Sequence, residues 1–193
     1  MILLVRHGET AANRARLALG RADPPLTDRG REQAAALAAR LAGSGATRVL
    51  SSPLARARAT AEAIAGALGV AVEEDARLVE LDYGEWDERS FAEFPPDDLV
   101  RWRTDASFAP PGGESLLAVG ARVASLCQEL VTGDPVVAVS HVSPIKAAVL
   151  WALDADPLLA WRMHLDVASI SRVAAAAGGR PSLLGFNDVA HLR

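Results

Sequence analysis

Residues 3–13 read LLVRHGETAAN, and this stretch decides the fold of the chain. A continuous apolar run over residues 2–5 favours a short strand that is buried on both faces of a parallel sheet. The run leads directly into Arg6 and His7, so a cation and an imidazole stand at the end of the first predicted strand. Side chains at the carboxyl end of such a strand lie where open α/β sheets bind their ligands. The stretch therefore predicts both a parallel sheet and a functional site at its edge.

The strongest strand pattern in the chain, PVVAVSH at residues 135–141, also ends on a histidine, His141. A third junction, LSSPLARAR at residues 50–58, carries Arg56 and Arg58 into the start of a predicted helix. Because the carboxyl ends of parallel strands meet at one edge of a sheet, we expect the two histidines and Arg56 to converge there. Arg58 lies further along the helix, and we interpret it as a structural or solvated side chain.

Strands and helices alternate along the rest of the chain, which is typical of βαβ architecture. Thr27 and Gly43 bound the first long predicted helix, and Ser-Pro pairs at 52–53 and 143–144 predict the starts of two others. The remaining predicted elements are strands at 47–52, 70–75, 167–174 and 182–186, a helix end at Gly69, and helices at 114–133 and 157–165. The predicted fold is a single α/β domain over residues 1–193, a three-layer α/β/α sandwich with a mostly parallel central sheet.

Residues 83–112 differ in composition from the rest of the chain. They hold six of its nine aromatic residues and four prolines, which interrupt any long helix. We predict a small inserted flap here, whose aromatic side chains form a satellite core under a long loop.

The composition excludes several classes of protein. The formal net charge of −4 argues against a nucleic-acid binder that works through a broad basic surface. The single cysteine, Cys127, excludes a disulfide within the chain, and its apolar helical surroundings predict a buried thiol. No run approaches the roughly 18 apolar residues of a membrane span, and no signal-peptide pattern opens the chain. We therefore predict a soluble, cytoplasmic protein with neither nucleic-acid nor membrane partners.

Histidines and arginines at one sheet edge predict an anion site rather than a metal site. Zinc sites combine histidine with carboxylates or thiolates, whereas a guanidinium group repels a cation. A phosphate dianion accepts paired, charge-assisted hydrogen bonds from arginine, and a histidine beside it allows catalysis through phosphohistidine. The chain has neither a P-loop nor a Rossmann glycine pattern, so we predict no cofactor and no metal.

Five sequence blocks resemble the signatures of the histidine phosphatase superfamily, the phosphoglycerate mutase-like enzymes. The blocks occur in order along essentially the whole chain: RHGETAAN (6–13), DPPLTDRGREQAAALA (23–38), SSPLARARATA (51–61), LVELDYGEW (78–86) and VSH (139–141). Their order and spacing make the resemblance much more specific than one RHG tripeptide would be.

The resemblance implies a role for several residues. His7 would be the nucleophile that carries the phosphoryl group, and Glu80 would be first the general acid and then the general base. Arg6, Arg56 and His141 would complete the phosphate pocket. Further substrate contacts would come from Asn13, from the backbone around Leu19 and Gly20, and from the Val142 N–H. Thr10 would either contact the phosphate or cap the following segment, and Arg21 is a candidate contact by position rather than by motif. In this setting the neighbouring cations should lower the pKa of the histidine nucleophile and keep its lone pair free.

Two local features bear on this site. Tyr83 and Trp86 are close in sequence to Glu80 and are expected to desolvate its carboxyl group. Val142 stands where the family usually has glycine after the second histidine. A β-branched residue disfavours positive φ and adds bulk, so we expect altered backbone geometry at this position.

We predict a metal-independent phosphomonoesterase for a small phosphorylated metabolite: a phosphosugar, a phosphoglycerate-type ester or a nucleoside-like phosphate. The compact length and PGGES at 111–115 resemble the α-ribazole-phosphatase-like and broad small-metabolite phosphatases of the family. A cofactor-dependent phosphoglycerate mutase is an alternative, although a mutase needs longer closing segments to exclude water. A catalytically weak phospho-ligand-binding protein on the same fold is a second alternative.

Contacts to the non-phosphate part of the substrate are expected from Arg21, Trp102, Arg103 and Lys146, the only lysine. We interpret His164 as a packed or surface histidine and His191 as a frayed residue near the C-terminus. Apolar residues near Trp151 and Trp161 are compatible with a homodimer.

Overall fold

The apolar runs pair into one six-stranded sheet in the computed structural model, which describes residues 1–175 and 179–193. The strands are β1 (Ile2–Arg6), β2 (Arg48–Ser51), β3 (Val72–Glu74), β4 (Val136–Ser140), β5 (Ile170–Ala175) and β6 (Pro181–Asp188). Their order is β3-β2-β4-β1-β5-β6. The strands β3, β2, β4 and β1 are parallel to one another, β5 is antiparallel to β1, and β6 is antiparallel to β5. The predicted α/β fold with a mostly parallel sheet is confirmed.

Helices connect the strands and cover the sheet. They are α1 (Ala11–Ala15), α2 (Asp28–Leu41), α3 (Ala55–Leu68), α4 (Pro96–Thr104), α5 (Leu116–Leu130) and α6 (Val142–Ala152). Short 3₁₀ helices lie at Ala76–Leu78, Gly84–Trp86, Phe91–Glu93, Pro157–Arg162 and Ala190–Leu192. The element predicted near residues 157–165 is thus a 3₁₀ helix rather than an α-helix.

Alternating side chains of the central strands build two cores, one on each face of the sheet. Leu3 and Val5 of β1 point to the core formed with α2 and α3, whereas Ile2 and Leu4 point to the core formed with α5 and α6. Because both faces are covered, the central strands read as continuous apolar runs rather than as an alternating pattern. This burial holds the carboxyl ends of β1 and β4 rigidly beside each other.

The helix caps predicted from sequence agree with the structure at two positions. The Thr27 side chain accepts a hydrogen bond from the Gly30 N–H at 3.0 Å and begins α2. Gly69 ends α3 with φ of 70°, the left-handed conformation that glycine adopts without a Cβ penalty. Helix α2 ends at Leu41 with Ala42 as its C-cap, so Gly43 lies just beyond it.

The two Ser-Pro predictions are wrong. Helix α3 begins at Ala55, whose N–H donates to both carboxylate oxygens of Asp23 at 2.9 Å. Helix α6 begins at Val142, and the carboxylate of Glu80 accepts hydrogen bonds from its first turn. In each case a carboxylate from a remote segment, rather than the local serine, satisfies the free N–H groups of the helix.

The proline-rich segment does contain a helix. Pro96 occupies the first turn of α4, where proline is tolerated, so the prolines begin this helix and do not interrupt it. Its Trp102 is buried against Tyr83 and Trp86, and Trp86 stacks on Phe94 at 4.5 Å between ring centroids. These aromatic side chains are continuous with the α5–α6 core and do not form a separate satellite cluster.

Two further sequence expectations concern burial. Cys127 is buried in α5, and desolvation raises the pKa of its thiol to about 12, in keeping with an unreactive residue. Within the described residues, no helix has the length and apolar character that crossing a membrane requires.

Candidate active site

Two histidines lie side by side at the carboxyl edge of the sheet. β1 and β4 are paired in parallel with Arg6 opposite Ser140, so the next residue of each strand, His7 and His141, falls at the same level. Their ring centroids are 5.0 Å apart and their planes are inclined by 58°. Both rings are buried. The structure thus brings together two residues that are 134 positions apart, as the strand patterns predict.

The His7 ring is fixed with one nitrogen free. Its Nδ1 lies 2.7 Å from the carbonyl oxygen of Gly8, and a carbonyl can only accept, so Nδ1 carries the proton. Nε2 then holds the lone pair and has no hydrogen-bond partner among the described residues. Desolvation, followed by the charges of Arg56 and Arg6, holds the pKa of His7 well below its usual value. The ring is therefore neutral, with its nucleophilic nitrogen available.

Arg56 is fully buried and is held by three protein acceptors. Nη1 and Nη2 donate to the carbonyl oxygens of Ala22 and Gly20 at 2.7 and 2.8 Å. Nε donates to Nδ1 of His141 at 3.3 Å. The other nitrogen of His141 consequently carries the proton and donates to the hydroxyl of Ser52 at 2.8 Å. Desolvation holds the pKa of His141 well below its usual value, and the charges of Arg56, Arg6 and Arg122 lower it further. Protonation of either histidine would also oppose protonation of the other.

Arg6 reaches from the end of β1 into an adjoining cleft of about 490 Å³. Nη1 donates to the carbonyl oxygen of Leu165 at 2.6 Å. Its Nε is buried and has no acceptor among the described residues. The cleft is also lined by Asn13, Arg16, Val142 and Lys146. Desolvation lowers the pKa of Arg6, so the charge of this guanidinium is poorly solvated and favours an anionic neighbour.

Glu80 is buried at the N-terminus of α6. Oε2 accepts the Val142 N–H at 3.0 Å, and Oε1 accepts the N–H groups of Ser143 and Leu81 at 3.1 and 2.8 Å. The hydroxyl of Tyr83 lies nearby, and desolvation and the charge of Glu80 raise its pKa. Tyr83 is buried, as the sequence predicts for an apolar wall beside this carboxyl group.

Val142 does not alter the backbone geometry in the way the sequence predicts for a β-branched residue in place of glycine. The residue is the first of α6 and is not among the described residues with positive φ, so its β-branched side chain causes no backbone strain. Its N–H donates to Glu80 and not toward a bound phosphate. The side chain lines the cleft.

Asn13 and Thr10 form the capping box of α1. The Thr10 N–H donates to Oδ1 of Asn13 at 3.1 Å, which fixes the orientation of the amide because only its oxygen can accept. Asn13 lines the cleft and its NH₂ group has no acceptor among the described residues; its contact with substrate stays a prediction. Thr10 is fully buried and its hydroxyl belongs to the cap, so it is placed as a support for Asn13 and not as a substrate contact.

Residues 19–21 lie behind the site. Leu19 is buried, and the Gly20 carbonyl accepts a hydrogen bond from Nη2 of Arg56. The Arg21 side chain lies 3.7 Å from both Asp82 and Glu114. These three residues are not among those that line the cleft, and their role as substrate contacts stays a prediction.

The side chains predicted to contact the non-phosphate part of the substrate differ in whether they line the cleft. Lys146 lines the cleft, where Nζ donates to the Ala160 carbonyl at 2.9 Å and desolvation lowers its pKa. Trp102 is buried in the aromatic core, and Arg103 lies on the surface with its guanidinium carbon 5.8 Å from the ring centroid of Trp161. Only Lys146 of this group is thus placed on the cleft.

The sequence interpretations of the outlying groups can also be compared with the structure. Arg58 is half-exposed and pairs with Glu62 and Glu74, as expected for a solvated residue. His164 is exposed and hydrogen-bonds to Asp166, which agrees with a surface histidine. His191 is not frayed, because it belongs to a 3₁₀ helix and both ring nitrogens are buried.

Comparison with known proteins identifies the family. Residues 2–189 match the sequence profile of the histidine phosphatase superfamily (branch 1). The chain belongs to the histidine phosphatase superfamily. The bifunctional protein Rv2228c of Mycobacterium tuberculosis is 40% identical over 198 residues, which include 99% of this chain but 54% of that protein. The chain therefore spans about half the length of this curated relative.

Other superfamily members resemble the chain over most of both lengths. A probable phosphoglycerate mutase GpmB of Yersinia enterocolitica is 34% identical over 180 residues, 89% of this chain and 83% of that protein. The phosphoserine phosphatase of Entamoeba histolytica, solved with 3-phosphoglyceric acid, superposes with a TM-score of 0.92 at 29% identity, covering 100% and 98% of the two chains. A mycobacterial glucosyl-3-phosphoglycerate phosphatase gives a TM-score of 0.88 at 30% identity, covering 96% and 98%.

Ser52 belongs to the candidate site although the sequence pattern predicts a helix cap at this position. Its fully buried hydroxyl contacts Nε2 of His141. Its position next to a strand end, like those of the two histidines, was the available signal. Within the described residues, no group of three or more His, Cys, Asp or Glu side chains is arranged to hold a metal ion.

The buried neutral histidines predict that stability falls as the pH is lowered through about 6.5. Their folded-state pKa values are depressed, so below the ordinary histidine pKa the unfolded chain binds more protons than the folded chain. Each histidine then removes about 1.4 kcal/mol per pH unit, and we expect a total loss of about 1–3 kcal/mol between pH 7 and 5.5. Urea unfolding at the two pH values measures this loss. Because the pKa of His191 is also lowered, His7→Gln should reduce the slope by about a third to a half, and a stability that does not change over this window would contradict the assignment.

Proposed function

We propose that the protein is a phosphomonoesterase that hydrolyses a small phosphorylated metabolite through a phosphohistidine on His7. One observation carries the proposal: the Nε2 lone pair of a buried neutral histidine is free, while the guanidinium groups of Arg6 and Arg56 supply positive charge beside it. The neutral ring of His141 lies next to it and is held by Arg56 and Ser52. Such an arrangement stabilises the charge that develops on the equatorial oxygens of a transferring phosphoryl group. The phosphatases among the structural neighbours support the same reaction class.

In the first step, Nε2 of His7 attacks phosphorus in line with the ester oxygen. The N–P bond forms as the P–O bond breaks, and a protonated Glu80 gives its proton to the leaving alkoxide. Oε2 of Glu80 accepts one N–H, from Val142, and so retains a lone pair that can carry this proton. In the second step, water attacks phosphorus, Glu80 takes its proton, and the N–P bond breaks to release phosphate. Neither step requires a metal ion.

The cleft favours a substrate that has a second anionic group. Lys146 and Arg16 line it, and neither forms an ion pair with an acidic side chain within the described residues. Phosphoserine and 3-phosphoglyceric acid, which the structural neighbours bind, both combine a phosphate with a carboxylate. Among the three predicted classes, the phosphoglycerate-type ester is therefore the substrate class we favour, ahead of phosphosugars and nucleoside-like phosphates.

Lys146→Met should lower kcat/KM for carboxylated phosphate esters by at least about 10-fold, because a hydrogen bond to a charged partner is lost. Esters with an uncharged alcohol should change by less than about threefold. Arg103→Met is the matched control, since this exposed cation does not line the cleft. Equal losses for both ester types would refute a carboxylate contact at Lys146.

A phosphoglycerate mutase is the second candidate, favoured by the GpmB relatives. The two candidates differ in the fate of the phosphohistidine, which a phosphatase passes to water and a mutase returns to substrate. A panel of phosphate monoesters assayed with excess chelator should show metal-independent hydrolysis. Interconversion of 3- and 2-phosphoglycerate at a rate above hydrolysis would favour the mutase, and activity that requires a divalent metal would contradict the mechanism.

A further inference from the structure

The carboxylate of Asp87 binds a row of backbone N–H groups in the loop behind the active site. Oδ2 accepts from Arg21 and Ala22 at 2.8 and 2.7 Å, and Oδ1 accepts from Gly20 at 2.7 Å. Oδ1 also accepts the N–H of its neighbour Glu88 at 3.1 Å. Four donors thus occupy the roughly four lone-pair positions of an ionised carboxylate, and such charge-assisted bonds are the strong ones.

The other side of the same loop holds Arg56. The carbonyl oxygens of Gly20 and Ala22 accept from the two Nη atoms of Arg56 at 2.8 and 2.7 Å. The third donor of this arginine, Nε, reaches Nδ1 of His141. The loop over residues 20–22 therefore turns its N–H groups to Asp87 and its carbonyl groups to the phosphate-pocket arginine.

The loop has little room to adjust. A Cβ atom at Gly20 would lie 2.8 Å from the carbonyl oxygen of Leu81, the residue after Glu80. Asp23, directly after the loop, accepts the first N–H of α3, the helix that carries Arg56. A shift of the loop would consequently move two of the three acceptors of Arg56 and disturb the helix that carries it.

We propose that Asp87 is a positioning residue for Arg56 and, through its Nε, for His141. Asp87 is not among the residues that line the cleft; it fixes the loop whose carbonyl groups hold the guanidinium group. Asp23, directly after the loop, adds an ion pair to Nη1 of Arg56 at 3.6 Å, so a shift of the loop would also move this carboxylate. The proposal rests on the proposed phosphatase function, because a positioned Arg56 matters where an anion binds. It also explains why a carboxylate stands in the segment directly after Trp86, remote from the reacting atoms.

Asp87→Asn tests the proposal. The amide is similar in size, but its NH₂ group cannot accept a hydrogen bond from the N–H groups that one carboxylate oxygen now binds. Donor would face donor on that side, so the loop must shift. We expect kcat/KM to fall by about 10²-fold, the loss associated with a displacement of about 1 Å in a catalytic group, and the Kd of inorganic phosphate to rise by at least about 10-fold. A displaced Arg56 depresses the pKa of His141 less strongly and moves the acid limb of the pH profile to higher pH, whereas loss of the Asp87 charge acts in the opposite sense. Asp87→Glu keeps that charge, so in this variant the acid limb should move to higher pH through Arg56 alone.

Asp105→Asn is the matched control. Asp105 also accepts local N–H and O–H groups in the segment before α5, but it bonds to Ser107 and not to the loop. It should leave kcat/KM, phosphate affinity and pH profile unchanged. A purely structural role for Asp87 would lower the melting temperature and leave phosphate affinity and the pH profile of the folded enzyme as in the wild type, and that result overturns the proposal.

A double-mutant cycle with Arg56→Lys tests whether Asp87 acts through Arg56. Lysine lacks the planar fork that the loop holds, so Asp87→Asn should have little further effect in that background, whereas additive losses would overturn the relay. If Asp87→Asn does not fold, Asp87→Glu retains both oxygens and is expected to weaken phosphate binding in a folded protein; unchanged binding again overturns the proposal. A wild-type protein that hydrolyses no monoester would refute the proposed function, while the phosphate Kd would still decide the role of Asp87.

Discussion

Replacement of His7 by alanine is expected to reduce kcat by at least about 10⁴-fold while inorganic phosphate still binds. The variant loses Nε2, the ring nitrogen of His7 that is left without a hydrogen-bond partner among the described residues, because Nδ1 is committed to the Gly8 carbonyl. The guanidinium groups of Arg6 and Arg56 are held by other parts of the chain and remain. Steady-state hydrolysis and phosphate titration of the same preparation measure the two effects separately.

The proposed intermediate can be trapped in the same experiment. The enzyme is mixed with a ³²P-labelled phosphate ester, denatured rapidly, and then treated with acid or with base. The wild type should carry a ³²P label that survives base and is lost in acid, and His7→Ala should carry none. His191→Gln is the matched histidine control, since this residue lies in the C-terminal 3₁₀ helix and is not among the residues that line the cleft. The folded variant should retain activity within about threefold, as substitutions away from the reacting groups usually do. Substantial hydrolysis by His7→Ala, or label on another residue, would refute the phosphohistidine mechanism.

The placement of both histidines followed from sequence because it depends on local patterns and one topological rule. Apolar runs marked β1 and β4, and the carboxyl ends of adjacent parallel strands share an edge. His7 and His141 could therefore be placed together without knowing any side-chain contact. Glu80, in contrast, was found through the family resemblance, because a single glutamate after an apolar pair has no distinguishing local pattern.

The helix starts and loop contacts that the sequence does not predict depend on carboxylates that bind N–H groups far away in sequence. Ser-Pro pairs predict helix starts, but the starts of α3 and α6 are set by Asp23 and Glu80, which are 32 and 62 residues from the N–H groups they accept. The serine of the first pair, Ser52, is consequently free to contact His141. Asp87 belongs to the same class, since its four N–H donors include three from residues at least 65 positions away. Local propensity cannot reveal such long-range pairs.

Replacement of Glu80 by glutamine is expected to lower kcat for alkyl phosphate esters by about 10²–10⁴-fold, the usual contribution of a general acid–base group. Glutamine cannot donate a proton to the leaving alkoxide and cannot take one from water. Its NH₂ group also cannot accept the Val142 N–H that now binds Oε2, so the side chain is less well held. Initial rates with an alkyl phosphate measure this loss directly.

The two steps of the reaction depend on Glu80 in different ways, and an aryl phosphate separates them. An aryl leaving group is a weak base that departs without protonation, so phosphorylation of His7 should remain fast in Glu80→Gln. The water attack still lacks its base and becomes slow. The variant should consequently release a burst of aryl alcohol stoichiometric with enzyme, followed by a slow steady state. Equal losses for alkyl and aryl esters with no burst would show that Glu80 is neither the acid nor the base of these steps.

Glu85→Gln provides the comparison that assigns the effect to the position of the carboxylate. Glu85 lies in the same segment but is exposed to solvent and is not among the residues that line the cleft. It should behave as the wild type with both ester classes. Because Glu80 also accepts three N–H groups, part of the Glu80→Gln effect must be structural, and that part lowers both steps together. The burst with an aryl ester isolates the loss of acid–base catalysis from the structural effect. A displacement of α6 would slow both the phosphorylation of His7 and the hydrolysis of phosphohistidine, so no burst would be seen.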